Sequence, residues 1–254
     1  MRGKVFIVGA GPGDPELLTV KGRRLLNDAD VVVYAGSLVN PELLKGLNAE
    51  LFDSAKLDLG QIIGILKDGV DRGKKVVRLH SGDPSIYGAI KEQMVRLDGL
   101  GIPYEIVPGV SSAVAAAAAL KEEFTLPEVT QTLIITRFGG RTPVPEREAL
   151  RKLSKIRATT LVFLSVGMIE EVVSELLNDF PEDTPVAVIE RVTWPEERII
   201  RGTLKDITGK VKKAGVKKTA IIAVGDFMGG LKGESRLYDK DFNHGYRKQS
   251  GTQD

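Results

Sequence analysis

The chain has 254 residues, 42% of them hydrophobic, which is enough apolar material for one large domain or two of ordinary size. The absence of cysteine excludes disulfides and thiolate metal sites, and two histidines leave little for an imidazole cluster, so we predict no metal centre. Well-mixed charges, 36 basic and 34 acidic, and the lack of any long apolar run predict a cytoplasmic protein that binds neither nucleic acid nor membrane.

Short β-branched segments alternate with helical patterns in the first part of the chain. Periodicity predicts strands at 4–9, 30–34, 75–80 and 104–107, and helices at 15–29, 59–73 and 87–101. An alanine-rich helix, opened by Ser111 or Ser112, follows over 108–120. This alternation is typical of a parallel sheet of about four or five strands.

The second part of the chain begins a new series of elements. Strands are predicted at 132–137, 159–165, 185–190, 197–203 and 218–225, with helices near 146–155, 167–179 and 204–213. No helix separates the strands that flank "RVTWPEE", which indicates a mixed sheet. We therefore predict two α/β domains, a parallel-sheet domain over 1–115 and a mixed-sheet domain over 116–254.

The segment "VFIVGAGPGDPELLT" (5–19) partly matches the G-x-G-x-x-G fingerprint of dinucleotide-binding loops. Gly9 and Gly11 fit, but Asp14 stands where the third glycine belongs, and Pro12 has no N–H to donate. A carboxylate at a helix N-terminus would occupy the place of an anion, so this turn disfavours phosphate. A tight turn capped by Asp14, with Pro15 as the first helical residue, would explain the same sequence without a ligand.

Two further turns follow neighbouring strands. "HSGDPSIYGAI" (80–90) repeats the Gly-Asp-Pro order, and "VPGVSS" (107–112) comes after the next strand. The carboxyl edge of a parallel sheet is where α/β proteins place ligands, so the three turns are expected to form one pocket. Carbonyls, small hydroxyls and a carboxylate suit a ligand that is cationic, hydroxylated and free of phosphate.

Four motifs, "VGAGPGDPELLT", "SGDPSIYGA", "VPGVSSAVAAAA" and "KTAIIAVG", resemble in order and spacing those of the class III S-adenosylmethionine-dependent tetrapyrrole methyltransferases. "VVYAGSLVNPELL", "IITRFGGRTPVPE", "TWPEE" and "SRLYDKDFNHGYR" are similar to the branch of precorrin-4 and cobalt-precorrin-4 C11-methyltransferases. The resemblance implies methyl transfer to C11 of precorrin-4 or its cobalt form, giving the corresponding precorrin-5, in cobalamin synthesis. S-adenosyl-L-methionine would be the donor and S-adenosyl-L-homocysteine the product.

The same resemblance implies a homodimer in which the cofactor lies in the cleft between the two domains. The first domain would carry the cofactor turns and the substrate face, and the second would complete the cleft. Carried over by motif, the cofactor-binding positions are Pro12, Ser81, Gly82, Asp83, Ile86, Ser111, Ser112, Ser165 and Val192. Ser81 stands where the family often has glycine or threonine, and the uroporphyrinogen methylases commonly have a methionine near the position of Ser165.

A tetrapyrrole substrate carries several carboxylates, which arginine can bind through two parallel hydrogen bonds. We therefore assign Arg137 and Arg141, which flank "FGG", to the substrate together with Tyr34 and Ser37. If Tyr34 and Trp194 do not contact a ligand, they are expected to be packing residues. His80, at a strand end, is expected to be a structural residue.

Transfer of a methyl group to a ring carbon mainly requires alignment, so no side-chain nucleophile is needed and no general base is assigned. Asp83 and Tyr87 are the candidates for one. The alternatives are another class III methyltransferase, either a different precorrin methylase or diphthine synthase, and a metabolite-binding protein without turnover. The sequence leaves the cobalt content of the substrate open.

Overall fold

Two five-stranded sheets organise the described residues, which are 3–140, 142–230, 235 and 242 of the computed structural model. Contacts divide the chain into two units, one of Met1–Ala119 with Glu190–Arg198 and the other of Leu120–Ile189 with Ile199–Asp254. The segment Glu190–Arg198, which connects two strands of the second unit, thus belongs to the first unit. The domain boundary after residue 115 stays a prediction.

The first unit contains a parallel sheet. Its strands are β1 (Val5–Gly9), β2 (Val31–Tyr34), β3 (Glu50–Asp53), β4 (Val76–His80) and β5 (Tyr104–Val107), in the order β3-β2-β4-β1-β5. Its helices are α1 (Val20–Asn27), α2 (Leu59–Asp71), α3 (Ile90–Gly99) and α4 (Ser112–Leu120). Strands β1 and β4 are neighbours, and the chain leaves β1 towards β2 but leaves β4 towards β5 on the opposite side, so the strand order reverses between them. The carboxyl edge at such a reversal is where open α/β sheets bind ligands.

The central strands of this sheet are apolar on both faces because each face is covered. On one face Val5 and Val33 pack with Leu66 of α2 and Leu97 of α3. On the other, Val8, Val32 and Leu79 pack with Leu26 of α1. Burial of both faces explains the continuous valine runs that are typical of parallel sheets.

The second unit contains a mixed sheet, as predicted. Its strands are β6 (Leu133–Arg137), β7 (Thr159–Phe163), β8 (Pro185–Glu190), β9 (Arg198–Thr203) and β10 (Ala220–Val224), in the order β6-β7-β10-β8-β9. Strands β6 and β7 are parallel, whereas β7 and β10 are antiparallel. The helices α5 (Leu150–Leu153), α6 (Ile169–Leu176) and α7 (Ile207–Ala214) accompany this sheet, and α6 and α7 bury Val172 and Ile207 against Val188 and Ile222.

Several helices are shorter than their patterns predict. The helix predicted over 15–29 is wrong at its start: a 3-10 turn at Pro15–Leu17 ends at the extended Leu18, and α1 begins at Val20 under a Thr19 cap. The segments predicted over 87–101 and 146–155 are also shortened, because left-handed or extended residues interrupt them. In the described part of the chain, no helix is long and apolar enough to cross a membrane.

Candidate active site

Three turns meet at the carboxyl edge of the first sheet, as the sequence predicts. We call residues 10–14 the first turn, 81–89 the second turn and 108–111 the third turn. Gly11 donates its N–H to the carbonyl of Gly82 at 3.3 Å and accepts the N–H of Gly82 at 2.7 Å. The second and third turns are joined by a bond of 2.9 Å from the Gly109 N–H to Asp83 Oδ2.

The backbones of the three turns lie in direct contact because glycine stands at each crossing. A Cβ atom on Gly9 would lie 2.6 Å from the carbonyl oxygen of Gly82 and 2.7 Å from Cα of Gly109. A Cβ on Gly109 would lie 2.2 Å from the same carbonyl oxygen. No side chain fits at either position, so these glycines are required by close approach.

The first turn is held by side chains from distant parts of the first unit. The buried Asn40 amide donates to the carbonyl of Gly13 at 2.8 Å. Thr193 Oγ1 accepts the Asp14 N–H at 2.9 Å, and Trp194 Nε1 donates to the carbonyl of Pro12 at 3.0 Å. Sequence reasoning missed Asn40 and Thr193 and treated Trp194 as a packing residue; the only signal was their place in the motifs "SLVNPELL" and "TWPEE".

The contacts of the first turn are those of a turn that disfavours phosphate. Asp14 Oδ1 accepts the Glu16 N–H at 2.8 Å and so caps the 3-10 turn that follows. Its carboxylate therefore uses an amide that an anion would need, and Pro12 supplies a carbonyl but no N–H. The turn offers oxygen atoms, which suits a ligand with cationic groups.

Asp83 braces the second turn against the third. Its Oδ1 accepts the Ser85 N–H at 2.8 Å and also the Ser85 hydroxyl, while Oδ2 accepts the Gly109 N–H. Burial alone would raise the pKa of Asp83, but the hydrogen bonds from Ser85 and Gly109 outweigh it and hold the pKa below its usual value. A carboxylate with both oxygens engaged and a lowered pKa is a weak base.

The other predicted cofactor positions of the first unit lie around these turns. Ser81, Gly82, Ile86, Ser111 and Ser112 are all partly exposed, and Ser111 Oγ accepts the Ala113 N–H at 3.2 Å at the start of α4. Val192 is buried beside Thr193. Tyr87, the second candidate for a base, is 43% exposed and has a left-handed backbone with φ of 54°.

The predicted substrate residues lie at the same edge of the sheet: Tyr34 is the last residue of β2, and Ser37 follows it. The carbonyl of Tyr34 accepts the Ser54 hydroxyl at 2.9 Å, and Ser37 is exposed in a 3-10 turn at Gly36–Leu38. In the second unit, the Arg137 guanidinium donates to the carbonyls of Thr142 at 3.0 Å and Pro143 at 2.7 Å. Arg137 therefore holds its own loop, and Arg141 lies outside the described residues.

Ser165, also in the second unit, is fully buried. Its hydroxyl accepts the Phe138 N–H at 2.9 Å and donates to the carbonyl of Phe163 at 2.6 Å. These bonds connect the ends of β6 and β7, so the side chain has a structural role there. The preceding Leu164 is 70% exposed and has a left-handed φ of 57°.

His80 ends β4 directly before the second turn and is buried with Arg78. The Arg78 guanidinium donates to Gln93 Oε1 and to the carbonyl of Val33, both at 3.2 Å. Burial, reinforced by the nearby Arg78 charge, lowers the pKa of His80 to about 3, so the imidazole is neutral. Burial also lowers the pKa of Arg78 to about 10. No group of three or more His, Asp or Glu side chains that could hold a metal occurs in the described part of the chain.

The fold and these turns define a class of protein: a two-unit α/β protein with a crossing of three glycine turns at the carboxyl edge of a parallel sheet. The model of one family, the tetrapyrrole (corrin/porphyrin) methylases, matches residues 4–208. The chain belongs to this family.

Individual relatives are similar over nearly the whole chain. The cobalt-precorrin-4 C(11)-methyltransferase of Methanocaldococcus jannaschii is 57% identical over 249 residues, which cover 96% of this chain and 96% of the relative. The precorrin-4 C(11)-methyltransferase of Pseudomonas aeruginosa is 49% identical over 245 residues, covering 96% of this chain and 98% of the relative.

Solved structures of tetrapyrrole methyltransferases are also similar to this chain. The crystal structure of a cobalamin biosynthetic enzyme, cobalt precorrin-4 methyltransferase, matches with a TM-score of 0.87 and 48% identity, covering 89% of this chain and 95% of the other. The uroporphyrin-III C-methyltransferase of Thermus thermophilus, complexed with S-adenosyl homocysteine, matches with a TM-score of 0.75 and 31% identity, covering 88% and 98%.

Proposed function

We propose that the protein transfers a methyl group from S-adenosyl-L-methionine to C11 of cobalt-precorrin-4 or precorrin-4, in cobalamin biosynthesis. The observation that carries this proposal is the crossing of three glycine turns, which offers carbonyl and carboxylate oxygens and disfavours phosphate. The names of the relatives that are 57% and 49% identical supply the substrate and the position of the new methyl group.

The residues of the turns fit this cosubstrate. S-adenosyl-L-methionine supplies a methyl group on a sulfonium, which an electron-rich carbon can displace to leave S-adenosyl-L-homocysteine. Pro12, Ser81, Gly82 and Ile86 of the first and second turns would bind it, with Asp83 holding the second turn in place. Ser111, Ser112 and Val192 would line the same site. Ser165 would act through its backbone, since its hydroxyl is engaged.

The chain contributes alignment to this reaction. The new carbon–carbon bond forms as the sulfur–carbon bond breaks, so no covalent intermediate with a side chain is required. Holding two reactants in line is worth roughly 7–11 kcal/mol, and rigid turns are suited to it. Because Asp83 is a weak base, we propose that its role is to hold the second and third turns together.

Substrate carboxylates would be bound by arginine, with Tyr34 and Ser37 on the substrate side of the first sheet. Arg137 uses two of its N–H groups to hold its loop, and a guanidinium has five, so loop bracing and carboxylate binding are compatible. Arg141 would serve the same carboxylates. Replacing Arg137 by lysine should raise the KM for the tetrapyrrole and leave the affinity for S-adenosyl-L-homocysteine unchanged. Wild-type kinetics in this variant would remove Arg137 from the substrate site.

The test of the function is anaerobic incubation with precorrin-4 and, separately, its cobalt form, each with methyl-labelled S-adenosyl-L-methionine. NMR of the product should place the label at C11. A label at another ring carbon would identify a different precorrin methylase, and no transfer to either tetrapyrrole would contradict the proposal. Comparing the two kcat/KM values decides which form is the substrate.

Three further features belong to this proposal. We expect the enzyme to act in the cytoplasm as a homodimer, because the resemblance implies one. We also expect the parallel-sheet domain, residues 1–115, to carry most of the cofactor contacts and residues 116–254 to complete the site. Light scattering of the purified protein measures the oligomeric state directly.

A further inference from the structure

The connection Glu190–Arg198, which joins β8 to β9, lies against the first turn. We call it the tryptophan segment, because it carries Trp194, the one tryptophan of the chain. Arg191 and Thr193 in this segment have left-handed φ angles of 47° and 68°. A left-handed conformation is costly for a β-branched residue such as threonine, so the surrounding contacts must maintain it.

The segment is braced internally. Thr193 donates its N–H to Glu197 Oε2 at 2.7 Å, and the Trp194 N–H donates to the carbonyl of Arg191 at 2.9 Å. The Arg191 guanidinium lies 5.0 Å from the centre of the indole ring, within cation–π distance. These contacts fix the orientation of the Trp194 side chain.

The indole is directed at the first turn. Its Nε1 donates to the carbonyl of Pro12 at 3.0 Å. A Cβ on the next residue, Gly13, would lie only 2.1 Å from Cδ1 of the ring, so the indole occupies the space that any larger residue at position 13 would need. Including the bonds to Asn40 and Thr193, two successive peptide groups of the turn, Pro12–Gly13 and Gly13–Asp14, are held from outside it.

We propose that Trp194 is a positioning residue of the cofactor site: its indole N–H fixes the Pro12 carbonyl and so shapes the first turn before the cofactor binds. This inference rests on the proposed function, which places S-adenosyl-L-methionine against that turn. A turn that is already ordered loses little conformational entropy on binding, and this raises affinity without any new contact to the ligand.

The test compares Trp194→Phe with the wild-type protein. Phenylalanine keeps an aromatic ring and removes the N–H. We expect the Kd for S-adenosyl-L-homocysteine, measured by calorimetry, to rise about three- to tenfold, the effect of one hydrogen bond. The KM for S-adenosyl-L-methionine should rise by the same factor, whereas kcat at saturating cofactor and the KM for the tetrapyrrole should stay at wild-type values.

Tyr104→Phe is the matched control. It also removes one donor from an aromatic side chain, the hydroxyl that bonds Asp98 at 3.3 Å, but at the amino end of β5. Its Kd for S-adenosyl-L-homocysteine should equal that of the wild type. An equal Kd for Trp194→Phe and Tyr104→Phe would overturn the inference, as would a parallel fall in kcat and rise of both KM values.

Intrinsic fluorescence gives a second readout that needs no variant. Because the chain has a single tryptophan, emission excited selectively at tryptophan reports on Trp194 alone, and its anisotropy decay in the ligand-free protein should show an indole that is already immobile. A mobile indole that becomes immobile only on addition of S-adenosyl-L-homocysteine would overturn the inference even if Trp194→Phe fails to fold. Absence of binding heat in the wild type would instead contradict the proposed cofactor site, and the inference with it.

Discussion

Polar side chains at the carboxyl edge of the first sheet mainly hold backbone in place. Asp83 connects two turns, Asn40 fixes the carbonyl of Gly13, and Trp194 fixes that of Pro12. His80, buried beside Arg78, is neutral because burial lowers its pKa to about 3. At the scale of single residues, this edge is therefore a rigid scaffold with little acid–base capacity.

Replacing Asp83 by asparagine should destabilise the protein. An amide would present an N–H group to the Gly109 N–H, so a charge-assisted bond is lost, and we expect about 1 kcal/mol less stability to urea at pH 7. Because the folded pKa is lowered, the stabilisation is present at neutral pH and disappears as the pH falls through it.

Asp71→Asn serves as the comparison for that substitution. It removes an exposed carboxylate that pairs with Lys67 on α2, and should change stability by less than about 0.5 kcal/mol. Equal urea midpoints for the two variants would show that the Asp83 brace contributes nothing to stability.

His80 should make the protein sensitive to mild acid. The unfolded imidazole takes up a proton near pH 6.5, but the folded one does so only near pH 3, so stability is complete above 6.5 and falls below it. Between pH 7 and 5.5 the loss should be roughly 1 kcal/mol. In His80→Gln this part of the pH dependence should vanish, and since His244 remains in both proteins, their difference isolates His80. Parallel stability curves would contradict the assignment.

At the scale of elements, the glycine crossing depends on how closely three strand ends approach. Strand β1 lies between β4 and β5, and their turns pack backbone against backbone with no room for a Cβ at Gly9 or Gly109. The helices that cover the sheet have no such restriction: Gly64 in α2 is exposed, and a Cβ there would meet nothing within 4 Å.

Alanine at these two kinds of glycine should have opposite effects. Gly64→Ala should raise the free energy of unfolding by up to about 1 kcal/mol through helix propensity. Gly109→Ala should lower it by about 1–3 kcal/mol, because the new methyl group would overlap the Gly82 carbonyl and separate the turns. Urea denaturation measures both, and a neutral Gly109→Ala would mean that the turns can separate at no cost.

At the scale of the whole molecule, the chain has a formal net charge of only +2, so no overall field selects the ligand. Selection must arise locally, from oxygen atoms and from the missing N–H at Pro12 in a family whose members methylate tetrapyrroles. S-adenosyl-L-homocysteine should therefore bind the folded chain, whereas a dinucleotide should not.

Removing or adding that ligand should shift the melting temperature. At a ligand concentration of about 100 times Kd, binding adds about 2.7 kcal/mol, which for a chain of this size corresponds to roughly 5–10 °C. Scanning calorimetry with S-adenosyl-L-homocysteine should show this increase, and NAD at the same concentration should show none. A larger shift with NAD would contradict the phosphate-excluding interpretation of the first turn.

Local sequence patterns were sufficient to predict much of the fold of this molecule. Valine runs and glycine turns predicted two α/β domains, one with a parallel and one with a mixed sheet. The Gly-Asp-Pro motifs after neighbouring strands predicted that these turns meet at one edge of the sheet. Both predictions were possible because strand periodicity and the geometry of proline and glycine are local properties. The four-residue edge strand β3 was not among the strands that we placed, since its "ELFD" pattern has acidic residues at both ends. Helix starts at residues 15, 87 and 146 were wrong because single extended or left-handed residues interrupt otherwise helical patterns.

The hydrogen-bond partners of the site residues follow from how distant segments pack together. Trp194 and Pro12 are 182 positions apart, and Asp83 and Gly109 are 26 apart, so no local pattern connects their hydrogen-bonding groups. Which backbone groups the first turn can offer is already set by its residue types, because proline lacks an N–H and glycine lacks a side chain. Packing of the sheet decided which distant side chains hold those groups, because a buried polar group without a hydrogen-bond partner is costly and most such groups find one wherever the fold brings it near.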